Sequence, residues 1–193
     1  DFESPDRIWI NNGDGTFRLI NKLAIRHTSN SSMAVDFSDL NKDGEADFFV
    51  TDMMSQSHIL QKTQMGTMAP TPLGIGEIDN RPQYMHNTLF LNRGDQTFSE
   101  ISQYSNTQAS EWSWGTIFID VDLDGHEDIL IGTGHMFDVQ DSDSQQKQRD
   151  ALPQIKSFEE YKRMLLKYPT LELKNVALRN KGNLKFENKI KDN

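Results

Sequence analysis

The sequence predicts an all-β chain, a segment of a β-propeller built from four-stranded antiparallel blades with helical insertions. Three observations predict it: two unlike motifs recur at one shared displacement, each motif sits between strand-like segments, and the two motifs alternate along the chain. Asp39–Asp47 reads DLNKDGEAD and Asp120–Asp128 reads DVDLDGHED, 81 positions further on. Ile8–Phe17 reads IWINNGDGTF and Leu89–Phe98 reads LFLNRGDQTF, also 81 positions further on. A weaker third copy of the second motif, ALRNKGNLKF at Ala177–Phe186, follows after 88 positions. A displacement common to unlike motifs marks one repeating unit whose length varies in its loops.

Met33–Ser38 and Trp114–Ile119 are rich in β-branched and aromatic residues and lead into the acidic motif, while Asp47–Thr51 and Asp128–Gly132 leave it, so each unit begins strand, acidic loop, strand. Thr88–Asn92 and Thr97–Ile101 flank Arg93-Gly94-Asp95-Gln96, and Arg7–Asn11 and Thr16–Ile20 flank Asn12-Gly13-Asp14-Gly15; these short Gly-containing links close hairpins. The chain then divides into the last two strands of a preceding blade at residues 1–20, a blade at 33–101 and a blade at 113–190, too few to close a ring. The stretches at about 52–86 and about 133–174, each between the second and third strands of its blade, are too long for structureless loops. In the later one, Ser157 and Glu160 form a capping box, and Phe158, Tyr161, Met164, Leu165 and Tyr168 share a helical face that Pro169 ends. In the earlier one, Met53, Met54, Met65 and Met68 precede Pro70, Pro72, Gly74 and Gly76, which predicts a short helix and then an irregular loop. These inserts either cover a blade edge or the propeller face, or offer a Met-rich surface to a partner.

Composition narrows the function. With 193 residues the chain can be one domain or part of a larger one. Asp plus Glu number 29 against 20 Lys plus Arg, and the net charge of −9 has the wrong sign for a phosphate-backbone binder, so no nucleic acid is expected as a partner. The absence of cysteine excludes disulfides, thiolate metal sites and cysteine nucleophiles. No run approaches the roughly 18 apolar residues of a membrane span. The chain opens at Asp1 without Met, a basic n-region or an apolar h-region, and reads as a processed chain or as part of a longer chain or larger assembly.

The acidic loops carry the chemistry. Oxygen side chains fall at positions 1, 3, 5 and 9, as Asp39, Asn41, Asp43 and Asp47 around Gly44, and as Asp120, Asp122, Asp124 and Asp128 around Gly125. Alternation with a glycine bend turns successive oxygens to one centre, and the position-7 carbonyls of Glu45 and His126 complete each cage. Hard oxygen ligands of this kind suit Ca2+, giving two sites. Four carboxylates crowded within about 5 Å repel by roughly 1–4 kcal/mol per pair, so the second loop calls for a cation. An EF-hand would need a bidentate Glu at position 12 and a following helix, where Val50 and Ile131 stand in apolar strands. Magnesium keeps its waters and takes fewer carboxylates.

The pairing of these hairpins with these loops resembles the FG-GAP, or VCBS, repeat of integrin-alpha-like β-propellers. The segments NRPQYMHNTLFLNRGDQTF and EWSWGTIFIDVDLDGHEDILIGTGH further resemble the branch that includes cartilage acidic protein and ASPIC/UnbV-containing proteins. The likeness covers nearly the whole chain, least securely in the inserts. It implies a calcium-binding propeller of a secreted or surface protein acting in adhesion or protein interaction, in a family with no established catalytic centre. It places the ligands on Asp39, Asn41, Asp43 and Asp47 and on Asp120, Asp122, Asp124 and Asp128. An extracellular, cell-surface or periplasmic setting also suits the dissociation constants of about 10⁻⁴–10⁻³ M of exterior calcium modules. Two departures stand out: Asn41 lowers the charge of the first site and predicts weaker binding there, and Asn183 and Leu184 replace the Asp14 and Gly15 of the first hairpin. The ASPIC/UnbV C-terminal module is not visible in this chain.

Two other functions stay open. IFIDVDLDG at Ile117–Gly125 is similar to the nucleophile strand of haloacid-dehalogenase-type phosphatases, with Asp120 attacking phosphorus and Asp122 as the acid. Against it, Asp124 stands where Thr or Val is required, a strand follows instead of a helix, and the copy at Asp39 has no role. Trp112 and Trp114, alternating on a strand, make either a glycan-stacking platform or packing between blades. Arg93-Gly94-Asp95 spells an integrin-recognition tripeptide but occupies a hairpin turn matched by Asn12-Gly13-Asp14 and Lys181-Gly182-Asn183, so turn chemistry accounts for it. His27, His58, His86, His126 and His135 show no zinc-type spacing, His135 after Gly134 being the one to examine. Asn30-Ser31-Ser32 is a glycosylation sequon if the source glycosylates secreted proteins.

Overall fold

The computed structural model describes residues 6–64 and 81–189. β1 (Trp9–Asn11) and β2 (Phe17–Leu19) form an antiparallel hairpin with Trp9 opposite Leu19. β3 (Thr28–Ser29) leads into β4 (Ala34–Ser38), which pairs antiparallel with β5 (Asp47–Thr51) across the first acidic loop. After α1 (His58–Gln64), β6 (Gln83–Tyr84) pairs parallel with β3, and β7 (Thr88–Asn92) and β8 (Phe98–Glu100) complete a sheet of order β4-β5-β7-β8. A single helical turn, α2 (Ser102–Ser105), precedes β9 (Ser113–Ile119), which crosses the second acidic loop to β10 (Asp128–Thr133). Helices α3 (Ser142–Ala151) and α4 (Phe158–Leu165) intervene before β11 (Val176–Asn180) and β12 (Phe186–Asn188), which finish a second sheet of order β9-β10-β11-β12. The two sheets share antiparallel order and register: Phe49 faces Leu89 in the first as Leu130 faces Ala177 in the second.

The strand sequences explain where they lie. β5, DFFVT, is buried at every position, because its two faces serve two cores. Phe49 points one way into a cluster with Leu40, Leu89, Ile129, Ile131, Val176, Leu178 and Phe186, residues drawn from both sheets. Phe48 and Val50 point the other way, onto Ile25 and Phe90, with the Phe48 ring stacked on Phe90 at 4.7 Å. The sheets are also joined by polar contact, the Phe118 N–H donating to Asp36 Oδ2 at 2.7 Å. A third cluster, Met53, Met85 and Trp112 with Met33, Val139, Leu171 and Leu173, ties the two inserts to the sheets. Met53 is thus a core residue instead of part of a partner-facing surface.

In the earlier insert the expected short helix is α1, while Met65, Met68, Pro70, Pro72, Gly74 and Gly76 lie outside the described residues. In the later insert Ser157 Oγ accepts the Glu160 N–H, but the Glu160 carboxylate accepts from Lys156 N, one residue before the cap. Of the apolar face expected on α4, only Met164 is buried; Phe158, Tyr161 and Leu165 are exposed, with Lys162 Nζ 4.6 Å above the Phe158 ring. On the sheets, Val35 and Phe37 of β4 and Ile117 and Ile119 of β9 are exposed at alternate positions. Among the described residues no helix is long and apolar enough to cross a membrane.

Candidate metal centre

The two acidic loops fold on one hydrogen-bond plan. Asp39, at position 1, receives Asp43 N on Oδ1 at 3.0 Å and Gly44 N on Oδ2 at 2.9 Å. Asp120 receives Asp124 N and Gly125 N at 3.1 and 2.9 Å in the same way. The position-5 carboxylates of Asp43 and Asp124 each accept the N–H of position 7, Glu45 or His126, at 2.9 Å. The turn needs left-handed backbone at position 6, where Gly44 and Gly125 have φ of 90° and 87°. Loop amides therefore pin the carboxylates around the bend before any ligand is considered.

In the second loop one oxygen from each of Asp120, Asp122 and Asp124 lies within 4.8 Å of the others, the one such acidic or histidine group among the described residues. Asp128 is outside this group. It and Asp47 face inward: Asp47, 0% exposed, accepts Leu40 N on Oδ2 at 3.0 Å and Asn92 N on Oδ1 at 2.8 Å, and Asp128 accepts Val121 N and Asn180 N at 3.3 and 2.8 Å. Burial pushes the Asp47 carboxyl up, an effect its two N–H donors only partly oppose and the nearby Asp43 and Asp39 reinforce. Position 9 thus staples each loop to the third strand of its sheet.

Three residues that sequence reading missed complete the site. Asn92 and Asn180, the last residues of β7 and β11, donate Nδ2 to the position-8 carbonyls of Ala46 and Glu127, each at 3.1 Å. Their Oδ1 atoms accept from Gly94 N and Gly182 N at 3.0 Å, so each Asn couples an acidic loop to the following hairpin turn. The signal was the Asn shared by LFLN and ALRN, which reads as turn chemistry alone. Arg179 is the third: Nη2 lies 2.7 Å from Asp122 Oδ2 and 3.1 Å from Asp124 Oδ2. The His126 N–H and then this guanidinium hold the Asp124 carboxyl below its ordinary range, and the Arg179 guanidinium is in turn held more firmly charged by Asp124. In the first loop Asn41 does the corresponding work, its Nδ2 donating to Asp43 Oδ2 at 2.7 Å. Between the loops, burial and then the charges of Asp36, Asp120 and Asp39 push the Glu127 carboxyl up, with Lys42 opposing.

The donor set fits a hard divalent cation: the clustered side-chain donors are oxygens, and the one imidazole in the loops, His126, packs instead on the hairpin turn at Gly182. A Cβ at Gly182 would sit 2.9 Å from His126 Nε2, on backbone with φ of +79°. Gly182→Ala is therefore expected to cost about 1–2 kcal/mol, from left-handed strain plus displacement of His126. Gly94→Ala, with nothing within 4 Å, should lose only the strain part, and urea unfolding of the two variants checks the difference.

The other candidates resolve differently. After Asp120 the chain turns into β10, a strand, where a phosphatase of the type considered would place a helix. Trp112 is 8% exposed and stacks on His135 at 4.6 Å, while Trp114, 49% exposed, donates Nε1 to Gly134 O at 2.6 Å. Asp95 accepts Thr97 N and Oγ1, as Asp14 accepts Thr16 N and Oγ1, so the tripeptide Asp is committed to its turn. In the sequon, Ser31 is buried and Asn30 N and Ser31 N both donate to the buried Asp52 carboxylate.

A family model described as FG-GAP-like repeat matches residues 1–50 and 76–131. No curated protein and no solved structure matches the chain.

Proposed function

Since the chain belongs to the FG-GAP-like repeat family, whose repeats form interaction- or adhesion-type modules and are typically non-enzymatic, we propose that it is a calcium-binding segment of a β-propeller that presents an interaction surface on a secreted or surface protein. Each of its two acidic loops takes one Ca2+. Asp39, Asn41, Asp43 and the Glu45 carbonyl hold one ion; Asp120, Asp122, Asp124 and the His126 carbonyl hold the other. Asp47 and Asp128 anchor the loops to β7 and β11 through the amides of Asn92 and Asn180. The observation that carries this reading is the repeated wiring: the same amides reach the same carboxylates in both loops, which fixes oxygen ligands in place for a hard cation. Calcium supplies the charge that offsets the repulsion of Asp120, Asp122 and Asp124.

The propeller reading is supported by the two like sheets and by the apolar faces they leave open. Val35 and Phe37 on one sheet, and Ile117 and Ile119 on the other, occupy the places where stacked blades would cover them. The first hairpin, β1–β2, covers part of the first sheet through Ile8. Calorimetric titration of the calcium-stripped chain with CaCl2 tests the metal assignment. Two ions per chain are expected, falling to one in Asp120→Ala; no heat beyond dilution would refute it.

A further inference from the structure

We propose that Arg179 is a tethered counter-cation that matches the charge of the second loop to that of the first, so that two loops of unlike sequence bind calcium with similar strength. This inference rests on the calcium reading above and concerns how strongly the second site binds. Among the side chains at positions 1, 3, 5 and 9, the first loop carries three carboxylates and the second carries four, because Asp122 stands where the first has Asn41. Taken alone, that difference predicts a stronger second site. Arg179 alters the account. Its Nη2 bridges Asp122 Oδ2 and Asp124 Oδ2 at 2.7 and 3.1 Å, so the extra carboxylate is met by an extra cation and the two ligand sets carry the same net charge.

The geometry shows that this is a paired exchange. Arg179 faces Glu187 across the last hairpin of the second sheet, and in the first sheet the same register position, opposite Ser99, is Leu91. Where the arginine is absent, position 3 is an amide, and Asn41 Nδ2 donates to Asp43 Oδ2 at 2.7 Å. Where position 3 is a carboxylate, the donor to the position-5 Oδ2 comes from Arg179. In both loops a nitrogen donor thus joins the side chains of positions 3 and 5. Arg179 is held at its post by its neighbour: Asn180 N donates to Asp128 Oδ1 at 2.8 Å and Asn180 Nδ2 to Glu127 O at 3.1 Å, which fixes the backbone from which the guanidinium reaches. A fixed positive charge on two ligands opposes a divalent ion among them. A further cation borders the second loop, Lys42 Nζ lying 3.7 Å from the Cβ position of Gly125, where it opposes the upward push on the Glu127 carboxyl; both groups lie outside the two side-chain ligand sets.

The experiment reads the second loop alone, in a chain whose first loop is silenced by Asp43→Ala, by calorimetric titration with CaCl2. Removing the charge in Arg179→Leu should tighten binding about two- to fivefold, the scale of partly exposed ion pairs. Asp122→Asn should weaken it by a similar factor, and the double variant Asp122→Asn/Arg179→Leu should return to within about twofold of the parent. Arg179→Gln, which removes the charge and leaves a shorter polar amide in place of an apolar side chain, should tighten binding as well, and circular dichroism shows which variants fold. Parent-like or weaker binding by Arg179→Leu and Arg179→Gln, with calcium still bound, overturns the charge matching and leaves the calcium reading standing. No calcium uptake by the parent overturns both.

Discussion

Stripping calcium with excess chelator is expected to lower the melting temperature by roughly 6–20 °C relative to the chain in 10 mM CaCl2, and restoring calcium should return it. A ligand that binds only the folded state stabilises it by RT ln(1 + [L]/Kd), which at this concentration and a Kd of about 10⁻⁴–10⁻³ M is about 1.4–2.7 kcal/mol per site. Two sites give about 3–5 kcal/mol, and for a chain of this size each kcal/mol moves the transition by about 2–4 °C. The effect should be specific to the loops: Asp120→Ala should remove about half of the calcium-dependent shift, because Asp120 accepts both bend amides of its loop. Differential scanning calorimetry with and without chelator reads both results. An unchanged transition would show that the loops are held by their amides and by Arg179 alone.

The second large effect falls on the position-9 carboxylates. Asp47→Ala or Asp128→Ala is expected to cost about 3–5 kcal/mol even in chelator, because each removal strands two backbone N–H groups at about 1–3 kcal/mol apiece. For Asp47 these are Leu40 N and Asn92 N, and the site is fully buried, so water cannot replace the lost acceptor. Asp47→Asn should lose somewhat less, since an amide can accept from one of the two amides but presents its own NH2 to the other. Asp43→Ala provides the contrast. Its carboxylate is exposed and accepts Glu45 N and Asn41 Nδ2, so in chelator it should cost under about 1 kcal/mol while still impairing calcium uptake. Urea denaturation of the variants in chelator separates these values; equal losses for Asp43→Ala and Asp47→Ala would refute the distinction.

That distinction marks how far the sequence could be read. The strands around the acidic loops were legible because β5 and β10 are apolar runs bounded by turn residues, and the hairpins because Gly94 and Gly182 occur at matching places. Position in the nonapeptide treats all the loop carboxylates alike and could not separate Asp47 and Asp128, turned inward onto amides, from Asp120, Asp122 and Asp124, which meet at one centre. Spacing fixes where an oxygen falls along the chain and leaves open which donor reaches it from a strand about 50 residues away. The same reason hid Arg179 and the second role of Asn92 and Asn180. Helix α3 was missed because SDSQQKQRDA has no apolar stripe; among its residues only Gln148 is buried, its Nε2 donating to Met164 O at 3.3 Å. The parallel pair β3–β6 has only two residues per strand, too few for a period of two to register. On α4 the apolar period was correct while the burial was not: a helix face records what it could cover, and here Phe158, Tyr161 and Leu165 remain exposed.

The central claim is that two like oxygen cages, one per sheet, each close on a divalent ion. A crystal structure of the chain grown in calcium, with anomalous data, tests it most directly. The account predicts two calcium peaks, one within about 2.3–2.6 Å of oxygens of Asp39, Asn41 and Asp43 with the Glu45 carbonyl, the other of Asp120, Asp122 and Asp124 with the His126 carbonyl. Density showing water alone inside both loops at saturating calcium would contradict it.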